Sequence, residues 1–395
     1  MKSIRDLNLE DRAVFMRLDL NVPIKDGKIK SDARIRAALP TIKHALEQGA
    51  KVALASHLGR PKKKSKEDSL EPVGVRLSEL LDQEVTFADD CIGDGVKKLV
   101  RDMRPGKVVL LENLRFHAAE EKNDPGFAKE LAAPYSVYIN DAFGSSHRAH
   151  ASIVGMVKLI EERAAGFLME AEVKALSRLL EAPAKPFVAV IGGAKVADKV
   201  GVLNALLTRV DAICIGGAMA YTFMKARGDD VGASKVEADK AYVAKEILER
   251  AASRNVALLL PEDHVVGDRF DENTKVATLG QKNIPAGKLG LDIGPKTRDQ
   301  FVARLATART VFWNGPMGVF EWKSCAAGTM GIARALAESS AFTVVGGGDS
   351  VAALEAAGVV DKIGHVSTGG GASLELLELG TLPGIEALRG RFAEK

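Results

Sequence analysis

The sequence predicts an α/β protein made of two doubly wound parallel-sheet domains joined by a helix and a hinge. Three observations predict it. Short, β-rich apolar runs alternate with helical patterns from end to end, as in strand–helix units laid into one sheet. The runs are continuous rather than alternating, which marks strands buried on both faces. The residues at run ends also divide sharply: arginine, histidine and asparagine before residue 150, paired glycines after residue 185.

The elements follow in order. The first half carries runs at Ala13–Leu20, Lys51–Ser56, Lys107–Glu112 and Val137–Asp141. The second half carries them at Phe187–Gly193, Ala212–Gly217, Val256–Pro261, Thr310–Gly315, Thr343–Gly348 and the short His365–Thr368. Helices such as 34–48, with Ile35, Leu39, Ile42 and Leu46 on one side, supply the covering layers. Between the halves, Leu168, Val173, Leu176 and Leu180 form an apolar stripe at helical spacing, ended by Ala-Pro-Ala-Lys-Pro. A chain of 395 residues suits two domains. They are expected at 1–168 and 169–381, the second including the connecting helix, with a strandless tail at 382–395 packing back on the first.

Bulk composition narrows the function classes. With 46% hydrophobic and 27% charged residues the chain reads as globular, and its net charge of +3 gives no support for nucleic-acid or membrane binding. Cys91, Cys214 and Cys325 are widely separated, so neither a disulfide framework nor a zinc knuckle is expected, and a reducing cytoplasmic compartment is. The opening Met-Lys-Ser-Ile-Arg-Asp-Leu has no apolar signal segment, and no apolar run approaches membrane length. The lysines at 62–64 and Lys66 read as an exposed loop.

The first half reads as an anion grip. Arg17, Asp19 and Asn21 alternate with Leu18 and Leu20, so in a strand they share one face, at the carboxyl end where ligands of open α/β sheets bind. A structural Arg17–Asp19 pair is the plainer alternative. His57 and Arg60 leave the next strand, Arg115 leaves a third, and His147, Arg148 and His150 follow a fourth. Arginine forks suit phosphate and carboxylate. Arg34 opens a helix, where a cation opposes the helix dipole, and a nearby anion explains it better than helix stability does. His44 and His117 read as surface or packing residues.

The second half reads as a nucleotide grip. Glycine turns at Gly192-Gly193, Gly216-Gly217, Gly346–Gly348 and Gly369–Gly371 expose backbone N–H groups at helix starts. Tight turns need glycine for steric reasons too, but here the turns recur in neighbouring units. Lys195 and Lys199, four apart, are expected on one helix face. Asp349 either holds magnesium beside a polyphosphate or caps its helix. Glu321 is placed for a ribose, and Asn314–Pro316 for a tight turn.

In order and spacing, RLDLNVP, SHLGRP, LENLRFH, NDAFGSSHRAHAS, GGAKVADK, WNGPMGVFE, VGGGDS and HVSTGGGASLELL make the chain resemble the phosphoglycerate kinase family over nearly its whole length. Ser350 stands where relatives carry threonine, and Trp322 precedes Cys325-Ala326. The resemblance implies a bilobal, cytoplasmic monomer exchanging a phosphoryl group between 1,3-bisphosphoglycerate and ADP. It implies that Arg17, Asp19, Asn21, Arg34, His57, Leu58, Gly59, Arg60, Arg115 and Arg148 bind the glycerate ligand. For ADP or ATP it implies Gly193, Lys195, Lys199, Gly217, Gly290, Asn314, Pro316, Glu321, Gly347, Gly348, Asp349 and Ser350, with Asp349 on Mg2+. Both reacting oxygens are ionised at neutral pH, so no general base is required. In-line transfer with domain closure then rests on Arg34, Lys199, magnesium and the N–H groups of Gly369, Gly370 and Gly371. A nucleotide-dependent dehydrogenase would instead need a G-x-G-x-x-G turn with an acid about twenty residues later, which is not found. A non-catalytic nucleotide-binding protein would not need Arg34, Lys199 and Asp349 together.

Overall fold

Six parallel strands make the sheet of the first unit in this computed structural model, which describes residues 1–392. They are β1 (Ala13–Leu18), β2 (Lys51–Ala55), β3 (Val85–Phe87), β4 (Val108–Leu110), β5 (Val137–Asp141) and β6 (Glu162–Ala165), in spatial order β3-β4-β2-β1-β5-β6. Every residue of β5 and all but the first of β1 are buried, which explains their unbroken apolar character. β3 and β6 had no counterpart among the apolar runs. Both are outer strands of the sheet, where residues such as Thr86, Glu162 and Arg163 reach solvent at least in part.

The second unit has the parallel strands β7 (Phe187–Ile191), β8 (Ala212–Ile215), β9 (Ala257–Leu259), β13 (Thr310–Asn314), β14 (Phe342–Gly346) and β15 (His365–Val366). Their order is β9-β8-β7-β13-β14-β15, so the direction in which strands are added reverses between β7 and β13, where doubly wound sheets open a crevice. An antiparallel sheet, β11-β10-β12, adds to this unit through β10 (His264–Gly267), β11 (Ala277–Leu279) and β12 (Leu289–Ile293). It was not anticipated: its strands are short and only partly buried, so they lack an apolar run.

Each unit has its own core. In the first, Val14, Met16, Val52, Leu54 and Ile139 of the sheet pack with Ile35, Ala38, Ile42 and Ala45 of helix Ala33–Glu47. In the second, Val188, Val190, Val311 and Trp313 pack with Phe301 and Leu305 of helix Pro295–Ala306 and with Ile332 and Leu336 of helix Ala327–Glu338. The stripe at 168–180 forms helix Phe167–Glu181, and the division between the compact units falls within it, between Lys174 and Ala175. From Thr381 the described chain belongs to the first unit: helix Pro383–Leu388 packs there, with Gly384 N–H donating to Ser146 O at 2.9 Å. Of the predicted tail, residues 393–395 lie outside the described residues.

Candidate active site

In the first unit the sheet reverses between β1 and β5, and the polar side chains gather at the carboxyl ends of its strands. Arg17, in β1, is only 1% exposed. Its Nε donates to Ser152 Oγ at 2.9 Å, and Nη2 lies 3.2 Å from His57 Nδ1. Ser152 receives support in turn: its N–H and hydroxyl both donate to the buried Glu120 carboxylate. Burial lowers the Arg17 pKa, opposed by the charges of Glu120 and Asp19. Glu120 and Ser152 thus hold the arginine without touching the crevice themselves. Ser152→Ala is expected to weaken binding of the glycerate ligand roughly tenfold, the value of one buried hydrogen bond to a charged group. Calorimetry on the folded variant checks this; unchanged affinity would remove Ser152 from this role.

β1 ends at Leu18, so the alternation expected to align Arg17, Asp19 and Asn21 does not continue. The backbone turns because Leu20 N–H donates to Ser56 Oγ at 2.9 Å, while Asn21 Oδ1 accepts from Gly59 N–H at 3.0 Å. Asp19 therefore pairs with Arg34, Nη1 to Oδ1 at 2.9 Å, rather than with Arg17. This pairing supplies the anion that the first-turn arginine requires.

Arg60, Arg115 and Arg148 line a cavity of about 340 Å³ with Pro61 and Glu121. Arg115 Nη1 donates to Gly59 O at 2.6 Å, and its Nε lies 3.0 Å from Glu121. Burial lowers the Arg115 pKa; Glu121 opposes that shift, and the charges of Arg148, Arg17 and Arg60 add to it. Three guanidinium groups around one carboxylate leave positive charge for a polyanion. Burial, then Arg17 and Arg115, push His57 well below its usual range and His150 to about 4. In both rings burial and the neighbouring guanidinium charges disfavour the doubly protonated form.

Asn113, quoted in the motif but given no role, organises this turn. Its amide accepts from Leu58 N–H and Arg115 N–H, both at 3.1 Å, and donates to Leu58 O at 2.8 Å and Asp68 O at 2.9 Å. His44 meets the Phe167 ring edge to face, as a packing residue does, and His117 pairs with Asp90.

In the second unit the ends of β7 and β13 cross. Gly192 N–H donates to Asn314 O at 2.9 Å, Gly193 N–H to Pro316 O at 3.1 Å, and Gly217 N–H to Met317 O at 2.8 Å. A Cβ on Gly192 would lie 2.1 Å from Pro316 O, so only glycine permits the crossing. Gly192→Ala should cost about 1–3 kcal/mol, as overpacking does. An unchanged urea midpoint would contradict it.

Asn314 is 2% exposed; its Nδ2 donates to Gly346 O at 2.8 Å and its Oδ1 meets Lys199 Nζ. Burial lowers the Lys199 pKa to about 8 against the charges of Asp198 and Asp349. A Cβ on Gly370 would lie 2.8 Å from Gly347 Cα, so the turns at 346–348 and 369–371 are in contact. The first N–H groups of helix Met219–Arg227 already donate to Gly193 O and Gly217 O, but helices Gly348–Ala357 and Gly370–Leu379 begin without a side-chain cap, which leaves first-turn N–H groups available to an anion. Asp349 lies exposed in such a first turn, and the capping alternative for it is set aside.

One expectation needs correction. Lys195 and Lys199 do not share a helix face: Lys195 lies in an exposed loop and the α-helix begins only at Val200. Glu237 captures Val196 N–H and Ala197 N–H, taking donors that a helix start would use. Ser350 is fully buried, and its hydroxyl accepts from Gly315 N–H at 2.6 Å, which fixes that turn. Gly290, in β12, packs closely against Tyr221 of helix Met219–Arg227. Glu321 is exposed after the Pro316–Phe320 turn.

Two doubly wound units, one presenting arginines and the other uncapped helix starts with a half-buried lysine, define an α/β enzyme for two anionic ligands. Comparison with known proteins makes this specific. Residues 4–379 match the phosphoglycerate kinase family. The phosphoglycerate kinase of Anaeromyxobacter dehalogenans strain 2CP-C is 59% identical over 98% of this chain and 99% of its own, and that of Clostridium novyi is 52% identical over 98% of both. The solved phosphoglycerate kinases of Coxiella burnetii and Pyrococcus horikoshii superpose with TM-scores of 0.90 and 0.86 at 41% and 36% identity, each covering 98% of both chains. The chain belongs to the phosphoglycerate kinase family: it is an ATP-dependent kinase, a transferase of glycolysis, and the dehydrogenase alternative falls away.

Proposed function

We propose that the chain catalyses 1,3-bisphosphoglycerate + ADP ⇌ 3-phosphoglycerate + ATP, with the glycerate ligand on the first unit and the nucleotide on the second. The observation that carries this is the cavity of Arg60, Arg115 and Arg148, whose charge only Glu121 partly offsets. It suits the phosphate end of the ligand, with Arg17, Asp19, Asn21, Arg34 and the His57–Gly59 turn left for the carboxylate and hydroxyl. The nucleotide phosphates take Lys199, Lys195 and the N–H groups at Gly347, Gly348 and Asp349, while Gly193 and Gly217, whose N–H groups are bonded to Pro316 O and Met317 O, let the ligand approach the backbone closely. Asn314, Pro316 and Ser350 shape that floor, Gly290 backs it, and Glu321 takes the ribose.

Asp349 fits a magnesium ion: its carboxylate is exposed, does not cap its helix, and lies close enough to Lys199 to raise that group's pKa. Magnesium on a nucleotide needs few protein ligands, and when bound it would supply charge neutralisation and orientation of the phosphates. The chain's own residues do the rest. Arg34 approaches the acyl-phosphate oxygens, Lys199 the transferring group, and Gly370 and Gly371 direct N–H donors at the charge that develops, Gly369 N–H being held by Ser367 Oγ at 3.2 Å. Because the ligands occupy separate units, transfer requires closure, which small-angle scattering with both ligands would register as compaction. Three buried free cysteines support a cytoplasmic setting, and a monomer is proposed.

The test is a coupled assay with 3-phosphoglycerate and MgATP, followed through NADH oxidation by an added dehydrogenase. Turnover dependent on both substrates is expected; none with folded protein would refute the reading.

A further inference from the structure

Three side chains outside this machinery come together where two neighbouring strands end. Asp90 and Cys91 follow β3, and His117 follows the 3-10 turn (Leu114–Phe116) after β4. Their carboxylate oxygen, sulfur and imidazole nitrogen all lie within 4.8 Å of one another. We propose that they form a binding site for a soft divalent cation of the zinc class.

The donor set is thiolate, imidazole and carboxylate, which zinc takes at roughly 2.0–2.3 Å, so tetrahedral donors stand roughly 3.5 Å apart. Small side-chain rotations reach that spacing. In the metal-free protein protons hold the same trio: His117 Nε2 lies 2.7 Å from Asp90 Oδ1, and the Cys91 thiol shares the same carboxylate. A cation replaces these hydrogen bonds; the thiol releases its proton to solvent and the imidazole binds through Nε2 as its Nδ1–H tautomer. The surroundings are ordered for this exchange. Cys91 N–H fixes Asp90 Oδ1 at 2.6 Å, and the His117 ring packs on Phe127 at 5.2 Å. Cys91 is 2% exposed, whereas the side chains of Asp90 and His117 are 42% and 29% exposed, so a fourth position faces water. His117 also stands at the start of the short helix bearing Glu120 and Glu121, the carboxylates behind Arg17 and Arg115, so a bound ion would stiffen the turn that presents Arg115.

Titration of the full chain with Co2+ in the absence of nucleotide tests this, because cobalt reports thiolate ligation by a near-ultraviolet charge-transfer band. One equivalent should develop the band and Zn2+ should displace it. Cys91→Ser should abolish the band while leaving turnover and the circular dichroism spectrum unchanged, and His117→Gln should weaken binding at least tenfold. Cys214→Ser should change nothing. No band with excess cobalt, or a band that survives in Cys91→Ser, would overturn the site; loss in Cys91→Ser with an intact fold would support it. Ions binding at the nucleotide phosphate site give no thiolate band, so the two sites are told apart.

Discussion

Arg34→Ala is expected to lower kcat on the order of 100- to 1,000-fold, the usual consequence of removing a donor aimed at transition-state charge, while the dissociation constants of both ligands change much less. Arg34 sits in the first turn of helix Ala33–Glu47, and it forms an ion pair with Asp19 at 2.9 Å. Its side chain is 40% exposed, so its ion pair adds little to stability, and a cation at a helix N-terminus opposes the dipole. The variant should therefore unfold at nearly the wild-type denaturant midpoint. A kcat loss without a stability loss separates a catalytic role from a structural one. Arg34→Lys keeps the charge but not the planar fork, and should recover only part of the rate. Turnover within a few-fold of wild type in Arg34→Ala would remove this residue from the chemistry.

Lys199→Met should produce a loss of similar size, for a different reason. The ammonium is half-buried against Asn314, and burial has brought its pKa to about 8. A lysine whose folded pKa lies below its unfolded one makes folding less favourable while it is charged, and this cost fades as pH rises from about 8 towards the ordinary lysine range. Lys199→Met should thus leave stability at pH 7 unchanged or raised, yet turnover should collapse because nothing neutralises the transferring group. Phosphates bound beside Lys199 would restore its proton. Nucleotide binding near pH 8.5 should then take up on the order of half a proton or more, read from calorimetry in buffers of different ionisation enthalpy. Lys199→Met should abolish that uptake. Equal uptake in the variant would assign the proton elsewhere.

The fold was legible because parallel strands buried on both faces must be continuously apolar, and Arg17, His57, Arg60, Arg115 and Arg148 all leave such strands. What was not legible depends on partners distant in sequence. Asp19 pairs with Arg34 rather than Arg17 because β1 stops at Leu18, and a strand end set by a hydrogen bond to Ser56 leaves no trace in periodicity. Glu120 and Ser152 support Arg17 from beneath, yet in sequence Glu120 looks like any acid in a polar run. Ser350 turns inward to Gly315, and Lys195 is held in a loop by the interaction of Glu237 with its neighbours. The edge strands β3 and β6 escaped because they are not buried on both faces.

The central claim is that the two anionic ligands have separate grips, one on each unit. Calorimetric titration of 3-phosphoglycerate and of MgADP, each alone, into Arg115→Ala and into Asp349→Ala tests it most directly. The account predicts that Arg115→Ala loses 3-phosphoglycerate affinity at least tenfold, the order expected for a charge-assisted pair, and binds MgADP normally, while Asp349→Ala does the reverse. Equal loss of both ligands in either folded variant, or normal 3-phosphoglycerate binding in Arg115→Ala, would contradict it.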